Sequence, residues 1–179
     1  MSHDRALSSE IEAFLDAGDP PVYFGFGSIR APKDLSRIMV QVARTLGRRA
    51  IVSRGWADLA LADKEVDCVA IGVVNQRALF ERVAAVVHHG GAGTTTAAAL
   101  GAAPQVVVPH MYDQHYWARR VEQLGIGVAH ASGAPTTDSL SKALEQALES
   151  EVAARARSIA TAVRIDGAQV AAERLIAAR

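Results

Sequence analysis

The sequence predicts an α/β domain: a Rossmann-like, doubly wound parallel sheet of about six strands with helices on both faces. Short β-branched runs alternate with longer segments of helical period through most of the chain. Those runs are apolar on both faces rather than alternating, as strands covered by helices on two sides must be. The polar and glycine-rich segments follow the strands at their carboxyl ends, where such sheets hold ligands.

In chain order, Ser8 to Ala17 reads as a short lead-in helix with Ile11, Phe14 and Leu15 apolar. Pro20-Pro21 ends it, since proline has no amide to donate and restricts the residue before it. The first strand is Val22–Phe26. Asp34 can cap a helix in which Leu35, Ile38, Met39, Val42 and Leu46 recur at helical spacing, with Gly47 as terminator. Strands follow at Ala50–Ser53, Cys68–Ile71 and Ala84–His88. After the fourth strand, Ala97-Ala98-Ala99-Leu100 strongly favours helix. Gln105–Val108 and Gly127–Ala129 complete the sheet. Between them lies a segment capped by Asp113, carrying Trp117, Val121 and Leu124, and stopped by Gly125. Thr137 to about Leu148 places Leu140, Ala143, Leu144, Ala147 and Leu148 on one face. Residues 151–179 read as two Ala-rich C-terminal helices broken near Asp166-Gly167. No repeat or low-complexity linker divides residues 1–179, which form a single domain.

Composition narrows the function. A chain of 179 residues buries roughly 70% of its unfolded surface. Lys+Arg 19 against Asp+Glu 19 leaves no electrostatic footprint for nucleic acid or an anionic membrane. The lone Cys68 permits no internal disulfide and fits a reducing compartment; in Cys68-Val69-Ala70-Ile71 it reads as a small core residue. Met1-Ser2-His3-Asp4-Arg5 lacks a signal-peptide core, and no apolar run approaches the ~20 residues that span a bilayer. The expectation is a soluble, cytoplasmic protein.

The most informative segment is His88-His89-Gly90-Gly91-Ala92-Gly93-Thr94-Thr95-Thr96. It joins a strand to a helix through a glycine turn. Unpaired amides at a helix start carry partial positive charge and suit an anion, most often a phosphate, and glycine lets the backbone come close. The spacing matches neither the dinucleotide fingerprint nor a P-loop. His88 and His89, adjacent on a strand, face opposite ways, and His89 is favoured for the cleft. No His or carboxylate pattern for zinc or magnesium is present, so no metal is expected. Three further loops meet at the same sheet edge: Gly25–Ser28, Gly72–Gln76 and Pro109–Gln114. In Gly25-Phe26-Gly27-Ser28, Ser28 is either a turn residue or part of a second phosphate nest. Trp56 is either a core or cap residue or a flat surface for a nucleobase. By spacing alone, Asp113 and Gln114 are an N-cap and an exposed first-turn residue.

Taken together, these segments resemble the C-terminal, donor-binding domain of the inverting GT-B glycosyltransferases, in the branch that glycosylates glycopeptide antibiotics and related natural products. The resemblance rests on Pro20 to Ser28, Gly72-Val73-Val74-Asn75-Gln76, His88 to Thr94, Pro104 to Pro109, Asp113-Gln114 and Gly125 to Ala129, in the family's order and spacing. It implies a nucleoside-diphosphate sugar, UDP- or TDP-linked, as donor substrate. His89 would bond a diphosphate oxygen and stabilise the leaving group. Gly91, Ala92, Gly93 and Thr94 would hold the rest of the diphosphate, with Ser28 touching it from the facing loop. Val74 and Gln76 would meet the base and ribose, and Asp113 and Gln114 would grip the donor sugar. Two positions depart from plant-type relatives: Ala97 replaces their ribose-binding Glu, and Val73 replaces their base-stacking aromatic, which leaves Trp56 as a candidate for that stack. The family's catalytic base and acceptor pocket lie in an N-terminal domain, so none is assigned in this chain. Three functions follow: the donor half of a glycosyltransferase, a natural subunit needing an acceptor-binding partner, or a sugar-nucleotide binding or epimerase-like protein of the same fold.

Overall fold

The computed structural model describes residues 6–26, 35–55, 65–131 and 133–178. All six expected strands form: β1 (Val22–Gly25), β2 (Ala50–Ser53), β3 (Cys68–Ile71), β4 (Ala85–His88), β5 (Gln105–Val107) and β6 (Gly127–Ala129). They pair in parallel in the order β3-β2-β1-β4-β5-β6. The winding reverses between β1 and β4. The carboxyl ends of those two strands form the switch point, the usual ligand position in open α/β sheets. The register sets Gly25 beside His88 there.

The helices are α1 (Ser9–Asp16), α2 (Leu35–Thr45), α3 (Gln76–Phe80), α4 (Ala92–Leu100), α5 (Gln114–Gln123), α6 (Thr137–Ala147), α7 (Ser150–Ala160) and α8 (Gly167–Ala177). α3 is too short to show a helical period. Its signal is Asn75, whose side chain caps it by accepting from the Ala78 amide at 3.3 Å. The expected Asp34 cap lies outside the described residues. One cap differs from expectation. Asp113 holds the N-cap position of α5 with helical backbone (φ −71°, ψ −9°) and makes no cap bond. An extended backbone is needed to turn a side chain back onto the helix start; instead the Asp113 carboxylate accepts from Trp117 Nε1 at 3.0 Å.

Alternating strand residues feed two layers, which explains why the strands read as unbroken apolar runs. Val22, Phe24, Val52 and Val87 pack under α2 and α6, against Leu35, Met39, Leu140 and Leu144. Tyr23, Ile51 and Val86 face the other way, onto Ile11 and Leu15 of α1, Leu79 and Phe80 of α3 and Ala98 of α4. A third cluster joins Val107 to α5 and α7 through Val121, Ile126 and Ala156.

α1 is fastened to this body by two arginines. Arg49, just before β2, donates to the carbonyls of Phe14, Leu15, Gly18 and Asp19, and its guanidinium lies 4.7 Å from the centre of the Phe14 ring. Carbonyls at a helix C-terminus have no partners within the helix, so a cation fits there. Arg82 pairs with Glu12 and Asp16 of the same helix.

Candidate functional site

β4 runs into His88, His89, Gly90 and Gly91, and each does something different. His88 is fully buried. The Gly90 amide donates to its Nδ1 at 3.1 Å, which leaves the ring proton on Nε2, facing Gln105 Oε1 at 2.9 Å. Burial pushes the His88 pKa down to about 4, against the Gln105 hydrogen bond and with nearby His89 adding to the fall. His88 therefore folds as a neutral ring. Its folded pKa lies below the unfolded value of ~6.5, so its contribution to stability is intact above that pH and is lost as pH drops towards 4. The gap predicts a loss of about 3 kcal/mol across that window, read from urea melts. The loss should shrink in His88→Gln, which does not titrate; an unchanged slope would place the acid sensitivity elsewhere.

Gly90 makes the turn with φ +88°. A Cβ there would come within 2.7 Å of Val107 Cγ1 and 3.1 Å of the Gln114 carbonyl oxygen. The bare backbone is what lets the turn lie flat against β5 and the first residue of α5. His89, just before this turn, is half-buried with its ring over Gly91: a Cβ on Gly91 would stand 2.6 Å from His89 Nε2. Burial holds the His89 pKa below the usual histidine range; the Gly25 backbone and the Asp113 carboxylate oppose this, and His110 adds to it. Although Gly25 is near, Nδ1 of His89 is buried with no hydrogen bond of good geometry among the described residues.

Gly91 is the N-cap of α4, and among the described residues no side chain caps that helix. The first helical bond runs from the Thr95 amide to the Gly91 carbonyl at 3.0 Å, and the Thr95 hydroxyl donates to the same oxygen at 2.9 Å. The amides of Ala92, Gly93 and Thr94 thus precede the helix's own bonding pattern. A Cβ at Gly93 would meet nothing within 4 Å. This helix start opens onto a cleft that it shares with Val74 and Gln76 across from it and with Leu7 at the α1 end. The structure therefore brings Val74, Gln76, Ala92 and Gly93 together. Of the threonines, Thr96 lines this stretch of the cleft while Thr94 is half-buried and Thr95 turns inward.

Tyr23 of β1 forms part of the cleft wall and did not stand out in the sequence. Burial raises its pKa, and hydrogen bonding to Ser53 and Gln76 opposes the rise. The ring folds beneath Gly25, where a Cβ would come 2.5 Å from the hydroxyl. The signal was available: a tyrosine in a buried strand needs a polar partner for its hydroxyl.

Beyond β5, Gln114 is buried, not exposed as its first-turn position suggested. Its Oε1 accepts from the His110 and Met111 amides at 2.8 and 3.1 Å, which closes the loop. Asp113 is exposed and tied to Trp117, and Tyr112 has φ +54° with its side chain in solvent. The sequence candidates Ser28 and Trp56 lie outside the described residues. Among the described residues, no three His, Cys, Asp or Glu side chains gather as a metal-ion set, and no helix is long and apolar enough to cross a membrane.

Residues 51–172 match the profile of the erythromycin biosynthesis protein CIII-like C-terminal domain. The chain belongs to that family. Among its relatives, glycosyltransferase GtfE of Amycolatopsis orientalis is 57% identical over 178 residues, covering 99% of this chain and 44% of the relative. The vancomycin aglycone glucosyltransferase of the same organism is 58% identical over 176 residues, covering 98% and 43%. A solved structure, the glycotransferase of kitacinnamycin, superposes with a TM-score of 0.74 at 25% identity over 90% of this chain and 43% of that one. The CIII-like domain described here is thus the C-terminal, Rossmann-like half of a GT-B fold. It spans less than half the length of the curated relatives it matches.

Proposed function

We propose that this chain is the donor-binding half of an inverting glycosyltransferase. It would hold a UDP- or TDP-linked sugar for transfer to a natural-product or antibiotic aglycone. The observation that carries this reading is the start of α4: three leading amides, no capping side chain and an open Gly93, set beside His89 at the sheet's switch point. The diphosphate lies against Gly91 to Thr94 with His89 on one oxygen; Ser28, outside the described residues, is a further candidate for the same group. The base and ribose extend towards Val74 and Gln76, and the sugar towards Asp113 and Gln114; Trp56, outside the described residues, is a candidate for the base by its sequence position alone.

Attack at the anomeric carbon breaks its bond to the distal phosphate oxygen, which keeps the electron pair. Negative charge then grows where the helix start and His89 already point, so they stabilise the transition state more than the ground state. These groups need no metal ion. The acceptor's proton leaves to a base on an N-terminal acceptor-binding domain or a partner subunit. Calorimetry of UDP and TDP, with and without a chelator, is the test. Binding should persist with chelator; its loss would overturn metal independence, and no binding at all would overturn the donor-site reading.

Gly93→Ala separates structure from ligand. Its backbone is not left-handed and its Cβ would enter open space, so alanine should stabilise the folded chain by about 0.5–1 kcal/mol through helix propensity. The same methyl stands where the diphosphate approaches, and affinity should fall. A thermal melt and a titration of one sample decide; unchanged affinity would move the phosphates away from Gly93.

A further inference from the structure

The stretch from Ala84 to Ala118 contains no lysine or arginine, yet it holds four of the chain's six histidines, His88, His89, His110 and His115. Any full positive charge that this stretch offers an anion is therefore carried by imidazole. His88 is spent inside the fold. His110 is not. Its ring packs edge-on against Phe26 at the end of β1, with centroids 6.1 Å apart and planes at 84°. Its backbone is pinned because Gln114 Oε1 takes the His110 amide at 2.8 Å. Its Nε2 is buried and has no hydrogen-bond partner among the described residues. A buried polar atom left without a partner is costly, so a ligand that supplies an acceptor relieves that cost. Its field reaches His89, whose Nδ1 is buried near the Gly25 backbone with no hydrogen bond of good geometry among the described residues.

We infer that His110 is a second imidazole ligand of the diphosphate, acting with His89 on the group that leaves. This rests on the donor-site reading above. The groups that face the pair are His89 from the β4–α4 turn and Asp113 and His115 from the start of α5; β1 contributes only Phe26 and the Gly25 backbone among the described residues. Burial, followed by nearby His115, depresses the His110 pKa, so the free site is mostly neutral at pH 7. A bound diphosphate favours the protonated ring. Binding then takes up a proton, and affinity rises as pH falls.

The test titrates UDP and TDP into the purified chain between about pH 7 and pH 8.5, where the nucleotide's terminal phosphate, with a second pKa of ~6, is largely ionised. His110→Phe keeps a ring against Phe26 and removes the hydrogen bond; His110→Gln keeps a donor and removes the titration. Circular dichroism melts check that each variant is folded. His110→Phe should lose about tenfold in affinity for the diphosphate at the low-pH end and flatten the pH dependence. His110→Gln should recover part of the affinity with the flat profile retained. If the wild type binds and His110→Phe stays within about twofold of it, the inference is overturned while the donor site stands. If only the sugar-linked nucleotide is weakened, His110 is a sugar contact and the inference again fails. If the wild type binds neither diphosphate, both readings fall together.

Discussion

Replacing His88 with alanine should cost the domain about 3–5 kcal/mol, because a cavity opens under the sheet while the buried Gly90 amide and Gln105 side chain lose their partner. Replacing His89, its neighbour, should leave stability within about 1 kcal/mol, since its ring is only half-buried and rests over Gly91. Under the proposed donor site, the substitution should instead cost the ligand one charge-assisted hydrogen bond, or about 1.5–3 kcal/mol of diphosphate affinity. Urea melts and calorimetry of both variants measure the two quantities separately. Equal stability losses would mean that His89 is as much a structural residue as His88.

Gly90→Ala should be nearly as damaging, at about 2–5 kcal/mol, from two sources that act together. The residue must hold φ +88°, and its methyl would press on Val107 and on the backbone of Gln114. Relief requires Val107 to shift its side chain and the start of α5 to give way. A denaturant melt measures the cost, and amide exchange should report loosening at Gln114 before it reaches β1. A folded Gly90→Ala variant of near-normal stability would show that the turn has slack.

What was legible in the sequence follows from what burial does to a pattern. Strands buried on both faces have to be apolar throughout, so Val22 to Phe24 and Ala85 to Val87 stood out without any partner being known. The glycine turn was legible because few physical needs ask for so many glycines at a helix start. That two adjacent strand residues point apart is certain from periodicity; that His88 is the inner one depends on Gln105, seventeen residues on and on another strand. Gln114 and His110 were hidden for a similar reason: a side chain that closes its own loop looks like an exposed helix start until the loop is folded. Asp113 looked like a cap because capping is a statistical habit of aspartate, and Trp117 outcompeted it.

The arginine fastening of α1 bears on where this half can be cut and rejoined. Pro20-Pro21 invites a junction, since it breaks the helix and immediately precedes β1. Yet Arg49 grips carbonyls on the far side of that break, and Ile11 and Leu15 roof Tyr23 and Ile51. A chimera spliced at the prolines would expose that apolar face and strand a guanidinium built for the helix it lost. The modular unit for exchanging this C-terminal half between GT-B relatives therefore begins no later than Ser8, the residue whose hydroxyl starts α1.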